Sequence, residues 1–307
     1  MKILVTGGAG FIGSHVVDKY IKEGHSVIVV DDLTTGNKDS LNPKAIFYNC
    51  DIRSSELFAI FEKEMPDIVN HHAAQVNVRK SVENPVLDAE VNIIGLLNVL
   101  QCSLKFNVKK FIFISSGGAI YGDARQIPTP ESSPALPLSP YGLAKDVGEN
   151  YVKLLNQLHG LQYTILRYGN VYGPRQDPSG EAGVIAIFIG KILKGNSPTI
   201  FGDGEQTRDY IFVGDIADVN LLCLENGKNQ TFNIGVGKET SVNSLFLILK
   251  KQQLFGEDAI HTDKRTGEVF RNCLDNSKAK KLLCWENKTS LEQGIKETIQ
   301  WFKEKLE

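Results

Sequence analysis

Short apolar runs alternate with amphipathic stretches through the first half of the chain. The runs at 3–5, 27–30, 45–48, 68–70, 111–115 and 163–167 are β-branched or aromatic and nearly unbroken. Strands buried on both faces read this way. Between them, 13–23, 54–64, 84–106 and 141–159 carry helical patterns. Strand–helix alternation predicts right-handed βαβ units and an α/β fold with a doubly wound parallel sheet.

After Gly169 the texture changes. The stretches 172–183 and 195–204 are rich in Gly and Pro and punctuate the chain with turns. Helical patterns follow at 183–194, 213–226, 242–254 and 290–305. The last has an apolar stripe of Leu291, Ile295, Ile299 and Phe302, with Thr289 and Glu292 as its expected capping box. The pattern divides the chain into a domain at 1–169 and a smaller, partly interleaved lobe at 170–307, with 231–234 returning one strand to the sheet.

Composition narrows the function classes. With 34 Lys and Arg against 36 Asp and Glu, the formal charge is −2, without the basic excess of a nucleic-acid or anionic-membrane binder. No apolar run is read as reaching the roughly 18 residues of a membrane span. Met1–Val5 lead straight into Thr6-Gly7-Gly8 without a cleavage site, so no signal peptide is expected. Cys50, Cys102, Cys223, Cys273 and Cys284 are odd in number, widely spaced and lack a CxxC pair. They suit small buried apolar residues in a reducing compartment, not disulfides or a metal site. These features favour a cytoplasmic protein.

The segment Thr6-Gly7-Gly8-Ala9-Gly10-Phe11-Ile12-Gly13 follows a strand and opens a helix. Gly7 permits a tight turn, Gly10 lets backbone approach a pyrophosphate, and Gly13 lets helix pack on strand. The helix start offers free N–H groups and a positive dipole end to phosphates. Asp31 ends the next strand, eighteen residues beyond Gly13, against roughly 20 expected for the acid that accepts ribose hydroxyls. A carboxylate there repels a ribose phosphate and favours NAD over NADP. Asp51-Ile52 ends the third strand, where it could contact adenine.

Tyr141 and Lys145 stand four apart at the start of a helical pattern, after Ser139-Pro140. Residues so spaced share a helix face. An ammonium beneath the phenol lowers its pKa from about 10 toward working pH and makes it a general base for an alcohol. Upstream, Ser115-Ser116-Gly117-Gly118 closes a strand, and ligands of open α/β sheets sit at carboxyl strand ends.

These residues resemble the extended short-chain dehydrogenase/reductase family, and within it the UDP-galactose 4-epimerase-like nucleotide-sugar epimerases. The resemblance also rests on Asp31-Asp32-Leu33, Cys50-Asp51-Ile52, His71-His72-Ala73-Ala74-Gln75, Asn92, the run from Leu166 through Arg167-Tyr168-Gly169-Asn170 to Arg175, Gly202-Asp203-Gly204, Arg208-Asp209-Tyr210 and Phe232-Asn233-Ile234-Gly235. It spans nearly the whole chain and implies a Rossmann domain. By resemblance, Gly7, Gly10, Phe11, Ile12, Gly13, Asp31, Asp32, Leu33, Asp51, Ile52, His72, Ala73, Ala74, Gln75, Asn92, Ser115 and Tyr168 line NAD together with Tyr141 and Lys145. The catalytic residues it implies are Tyr141, Lys145 and Ser116. Gly117, Asn170, Val184, Thr199, Ile200, Phe201, Arg208, Arg265, Glu268 and Asn272 join Ser116 and Tyr141 in holding the UDP-sugar. Planar arginine forks suit a diphosphate. By family analogy, the helices at 84–106 and 141–159 pair with a second subunit in a homodimer.

One departure stands out. The family's catalytic Ser or Thr lies four residues before the Tyr-Gly dipeptide, where this chain has Gly117. Ser116, a water or Tyr121 must then complete the relay; Ser116 is the expectation. Gly117, Gly118 and Ala119 supply no acid–base pair for dehydration, nor the charged groups of a decarboxylase. What remains is hydride return to the other face of a transient 4-keto sugar, so the expected activity is 4-epimerisation of UDP-glucose and UDP-galactose with resident NAD. Asn272, small where a bulky residue would exclude an acetamide, opens the N-acetyl pair as further substrates. A UDP-glucuronate epimerase or nucleotide-sugar reductase is the alternative on the same scaffold. A non-catalytic NAD-binding regulator would not need Tyr141 and Lys145 in register.

Overall fold

The computed structural model describes residues 1–178, 183–252, 257–264 and 269–306. In the first half, β1 (Lys2–Thr6), α1 (Phe11–Lys22), β2 (Ser26–Asp31), β3 (Ile46–Asn49), α2 (Glu56–Glu64) and β4 (Ile68–His71) alternate regularly. Three helices follow, α3 (Val78–Glu83), α4 (Pro85–Ala89) and α5 (Leu96–Lys105), then β5 (Lys110–Ser116), α6 (Pro140–His159) and β6 (Gln162–Tyr168). The second half holds β7 (Asn170–Tyr172), α7 (Val184–Leu193), β8 (Thr199–Phe201), β9 (Thr207–Arg208), β10 (Tyr210–Phe212), α8 (Val213–Leu222) and β11 (Gln230–Ile234). It ends with β12 (Thr240–Ser241), α9 (Val242–Lys251), β13 (Ile260–Thr262), α10 (Ser277–Leu283) and α11 (Leu291–Leu306).

Seven parallel strands form the sheet in the order β11-β6-β5-β4-β1-β2-β3. This is the expected doubly wound α/β architecture. The chain winds outward in both directions from the β1–β4 pair, which opens a crevice at the carboxyl ends of those strands. One apolar core fills the sheet face under α1, α8 and α10, with Val16, Val17, Tyr20, Ile216, Val219 and Leu283 fully or nearly buried. The other face packs Leu57, Phe61, Leu96, Val99, Leu100 and Val152 of α2, α5 and α6. A third core, built on α7, α9 and α11, fills the second lobe. Thus α8, α10 and β11 lie beyond residue 170 in sequence yet complete the first sheet and its covering layer.

Local chemistry sets the element ends that matter to the site. Ser139 accepts the Gly142 N–H (3.1 Å) and Pro140 occupies the first turn of α6. Proline has no N–H to lose there, and its fixed φ suits a helix start. Gly160, at φ 73°, ends the helix. Two expectations need correction. The helix placed at 84–106 is interrupted: Asn84 caps α4, and Glu90–Gly95 forms a π-helical stretch before α5. Together Pro85–Lys105 is long and apolar enough by composition to cross a membrane, contrary to the reading that no run was. It lies against the sheet instead, with Asn92, Leu96, Val99 and Leu100 buried. At the other end of the chain, the cap of α11 is Ser290, which accepts the Gln293 N–H (3.2 Å), so the cap sits one residue beyond Thr289. Leu254, the expected end of α9, lies outside the described residues.

Candidate active site

The glycine loop turns at Gly7, whose φ is 68°. A Cβ on Gly7 would stand 2.6 Å from the Ala73 backbone nitrogen, and one on Gly13 would meet the Gly7 carbonyl oxygen. Side chains are therefore excluded at both places. α1 begins after Gly10 without a capping side chain or an acid in its first turn, leaving its amide end for a phosphate. Asp31 is buried, and its two carboxylate oxygens accept the Ala9 and Leu33 N–H groups (2.9 Å each). Each oxygen keeps a lone pair for a ribose hydroxyl. Burial raises the Asp31 pKa, and the two backbone bonds oppose that rise. Asp32 accepts the Thr34 N–H (2.9 Å). Asp51 faces Arg53, whose Nη2 lies 2.6 Å away and whose hydrogen bonds lower its pKa. Ile52 is buried nearby. The cradle and the ribose acid fit NAD.

The π-helical stretch carries Asn92 into a closed network. Its Oδ1 accepts the Gln75 N–H (2.9 Å), and its Nδ2 donates to the Gln75 carbonyl (3.0 Å) and to Asp88 (2.9 Å). Gln75 Nε2 also donates to Asp88 (2.9 Å), a buried carboxylate that sequence reading missed. Its signal was slight: an acid in a mostly apolar helical run, two residues before Glu90. His71 and His72 part company as adjacent strand residues do. His71 shares a proton with Thr6 Oγ1 (2.8 Å) and stacks on Phe113, whereas His72 Nε2 is buried without a partner. Burial drives His71 well below its usual pKa and His72 down to about 3, so both are neutral.

Tyr141, Lys145 and Ser116 come together as expected. Ser116 ends β5 and Tyr141 opens α6, and the nearby serine hydroxyl works to lower the phenol's pKa. Lys145 Nζ donates to the Ile114 carbonyl (2.9 Å) and lies 5.8 Å from the Tyr141 ring centroid. The electrostatics differ from the expectation of a lowered phenol. Burial pushes Tyr141 up to about 12, against the pull of the Ser116 bond, and pushes Lys145 down to about 8, against Asp88 and Glu149. Desolvation penalises both charged forms more than their neighbours repay.

The Gly117 departure has a steric reason. A Cβ there would stand 2.5 Å from Leu274 Cδ1, so a serine or threonine would require that buried side chain to shift. Tyr121 is not free to replace it: its hydroxyl accepts from Arg167 (2.6 Å) and donates to Asn233 (2.7 Å). Tyr168 also differs from expectation. Its hydroxyl accepts from Asn220 (2.6 Å) within the core beneath α1 and α8, and only its carbonyl, bonded by the Gly117 N–H (2.8 Å), supports the site. Ser115 likewise turns its hydroxyl away from the crevice, to buried Glu149 (2.7 Å).

The second lobe closes over this end of the crevice. Asn170 Oδ1 is buried without a partner, 3.7 Å from where a Gly118 Cβ would lie. Asn272 donates to the Gly117 carbonyl (3.1 Å), and its Oδ1 is also buried and unpartnered. Two polar acceptors thus face the serine turn from the far lobe. Arg208 donates to the Thr207 carbonyl (2.8 Å) and, at 3.5 Å, to that of Phe270, beside a small cleft lined by Phe201, Gln206, Lys264 and Phe270. Val184 starts α7. Thr199 accepts from Lys191 (2.8 Å), and Ile200 is buried in the third core, so these two serve packing more than a ligand face. Arg265 and Glu268 lie outside the described residues. Among the described residues, no group of three His, Cys, Asp or Glu could hold a metal.

A glycine cradle with a ribose acid and a tyrosine–lysine pair at the strand ends defines an NAD-using enzyme of the Rossmann class. Residues 3–235 match the NAD dependent epimerase/dehydratase family, and the chain belongs to it. A relative from Methanocaldococcus jannaschii, described as a putative UDP-glucose 4-epimerase, is 55% identical over 98% of both chains. The crystal structure of UDP-glucose 4-epimerase with UDP-glucose from Thermotoga maritima is 51% identical, covers both chains fully and superposes with a TM-score of 0.98. The UDP-glucose 4-epimerase of Thermus thermophilus, solved with NAD, is 38% identical over 99% of both chains, with a TM-score of 0.94.

Proposed function

We propose that this enzyme interconverts UDP-glucose and UDP-galactose by inverting carbon 4 of the sugar, with NAD resident in the crevice. The observation that carries the reading is the Tyr141–Lys145 pair on one turn of α6, with Lys145 anchored on the Ile114 carbonyl (2.9 Å) at the end of β5, beside a Ser116 turn whose next residues bear no acid. That turn can relay a proton to and from a sugar hydroxyl but cannot drive elimination. Tyr141 takes the proton of the 4-hydroxyl, Ser116 shares it, and Lys145 stabilises the phenolate. NAD, held by the glycine cradle and Asp31, would supply the hydride acceptor and donor. Asn170 and Asn272 orient the sugar, and Arg208 binds the diphosphate. Residues 1–169 with β11 hold NAD, and the remaining lobe holds the UDP-sugar.

The unpartnered Asn272 Oδ1 favours a second substrate pair: it would accept the N–H of an acetamide. Val86 and Ile94, with Leu143, Leu154 and Leu158 of α6, are exposed apolar side chains, which supports pairing of these helices in a homodimer. Four of the five free cysteines are buried, in keeping with a cytoplasmic setting.

Purified protein given UDP-galactose without added NAD should form UDP-glucose, and the N-acetyl pair should turn over beside it. Tyr141→Phe should keep the fold and bound NAD while kcat falls by roughly 10² to 10⁴. No conversion by NAD-loaded protein would reject the reading. Full activity in Tyr141→Phe would remove that residue from the role of base.

A further inference from the structure

Lys145 is buried and holds its ammonium against a backbone carbonyl, and the groups around it come from several elements. Asp88 faces it from α4, Glu149 from its own helix, and neutral His71 and His72 from the end of β4. Glu149 lies one turn beyond Lys145 on the buried side of α6 and is 0% exposed. Its Oε1 accepts the Ser115 hydroxyl and Arg167 Nε (2.7 Å each). Its Oε2 accepts Arg167 Nη2 (2.7 Å) and Lys153 Nζ (3.1 Å). Burial alone would raise this carboxyl, but the Arg167 bonds and charge reverse the effect and keep it ionised.

The connections run to both sides of the proton relay. Ser115 precedes Ser116 on β5, so the Glu149 carboxylate ties that strand end to the helix bearing Tyr141. Arg167 continues through Tyr121 (2.6 Å) to Asn233 of β11 (2.7 Å), which fixes the far end of the 115–121 turn. A bidentate buried Arg–carboxylate pair is geometrically stiff. Removing one partner leaves the other uncompensated.

Resting on the epimerase reading, we propose that Glu149 is a positioning residue of the reaction. Its carboxylate clamps Ser115 so that Ser116 meets Tyr141, and its charge retains the Lys145 ammonium in the closed site. The two roles separate by mutation. Glu149→Gln keeps the size and an acceptor for Ser115 but removes the charge. It should lower kcat roughly tenfold or more while KM for UDP-galactose stays within about twofold. The basic limb of the kcat–pH profile should move down by about one unit, because losing a nearby opposite charge makes the ammonium easier to deprotonate. Glu149→Asp restores the charge at shorter reach. It should return the limb toward its original place while kcat stays low. Ser115→Ala should lower kcat and leave the limb unmoved.

Bound NAD and melting temperature, measured on every variant, separate positioning from folding. Parental kcat and an unmoved limb in Glu149→Gln would overturn the clamp, as would a kcat loss proportional to lost NAD with an unmoved limb. Failure of the unmutated protein to convert UDP-galactose would remove the epimerase reading and this inference with it. A working parent with indifferent variants removes the clamp alone.

Discussion

The two walls of the crevice are built by different means. On the NAD side, each group stands within a few residues of a strand end, and backbone holds it there. Gly7 abuts Ala73, Gly13 abuts Gly7, and Asp31 is fixed by the Ala9 and Leu33 amides. On the proposed sugar side, Asn170, Arg208 and Asn272 arrive from separate segments, and one buried residue gathers them through its side chain and its backbone. Asp209 accepts the N–H groups of Val236 (2.7 Å), Gly237 (3.1 Å) and Leu274 (3.1 Å), while its own carbonyl accepts the Asn170 N–H (2.8 Å). The first wall is thus set by local backbone geometry and the second by long-range hydrogen bonds. A steric insult should therefore break the first, and a lost acceptor the second.

The largest effect is expected at Gly13. In Gly13→Ala the new methyl meets the Gly7 carbonyl, and neither backbone segment can yield without moving β1 or α1. The variant should lose bound NAD and about 3 kcal/mol or more of stability. Gly24→Ala is the control. Gly24, unlike helical Gly13, has a positive φ, 82°, but nothing within 4 Å, so only the conformational cost of about 1 kcal/mol applies and NAD should remain. Chemical denaturation and the absorbance of released nucleotide measure both. Equal losses in the two variants would show that contact with the Gly7 carbonyl does not govern this wall.

The same contrast explains what could be read from the chain beforehand. The glycine loop, Asp31, and the Tyr141–Lys145 pair were legible because each is a short pattern anchored to one strand or helix. β11 was also found, from its apolar run alone, though it returns to the sheet from the second half. Asp88, Glu149 and Arg167 were not assigned, because their meaning lies in partners 13 to 46 residues away. Glu149 did leave a trace: it repeats the four-residue step from Tyr141 to Lys145 along one helix face. The π-helical stretch left none, since a single inserted residue barely disturbs an apolar periodicity. Tyr168 was misplaced because a motif gives the position of a residue but not the face its side chain takes.

A smaller effect tests the second wall. Asp209 is fully buried, and burial raises its pKa against the pull of the three amides. Asp209→Asn exchanges one acceptor oxygen for an amide that points donors at donors. The expected cost is about 2 kcal/mol, from a buried N–H left unsatisfied. Because the carboxylate anchors the segment that carries Asn272, KM for the UDP-sugar should rise while bound NAD stays near parental. Loss of NAD together with sugar affinity would mean that the two walls are not separately built.

The smallest effect belongs to the seam between them. His15 of α1 bonds the Pro174 carbonyl (2.9 Å), and Arg175 meets Asp18 (2.6 Å) one turn away. Burial is the main cause that lowers His15 to about 4, with the nearby Arg175 charge adding to it and the Pro174 bond opposing. In the unfolded chain the same ring titrates near 6.5. Between those values the unfolded state binds more protons than the folded one. The stability contribution is therefore complete above about pH 6.5 and is lost as pH falls toward 4. At pH 5.5 the loss amounts to about 1 kcal/mol. His15→Gln keeps a donor for Pro174 without a titrating ring, so its stability should fall less between pH 7.5 and 5.5 than that of the parent. His71 and His72 contribute to both proteins alike and cancel in the difference. Identical pH slopes would mean that the ring gains a proton without cost in the folded protein, and that the seam opens more readily than either wall.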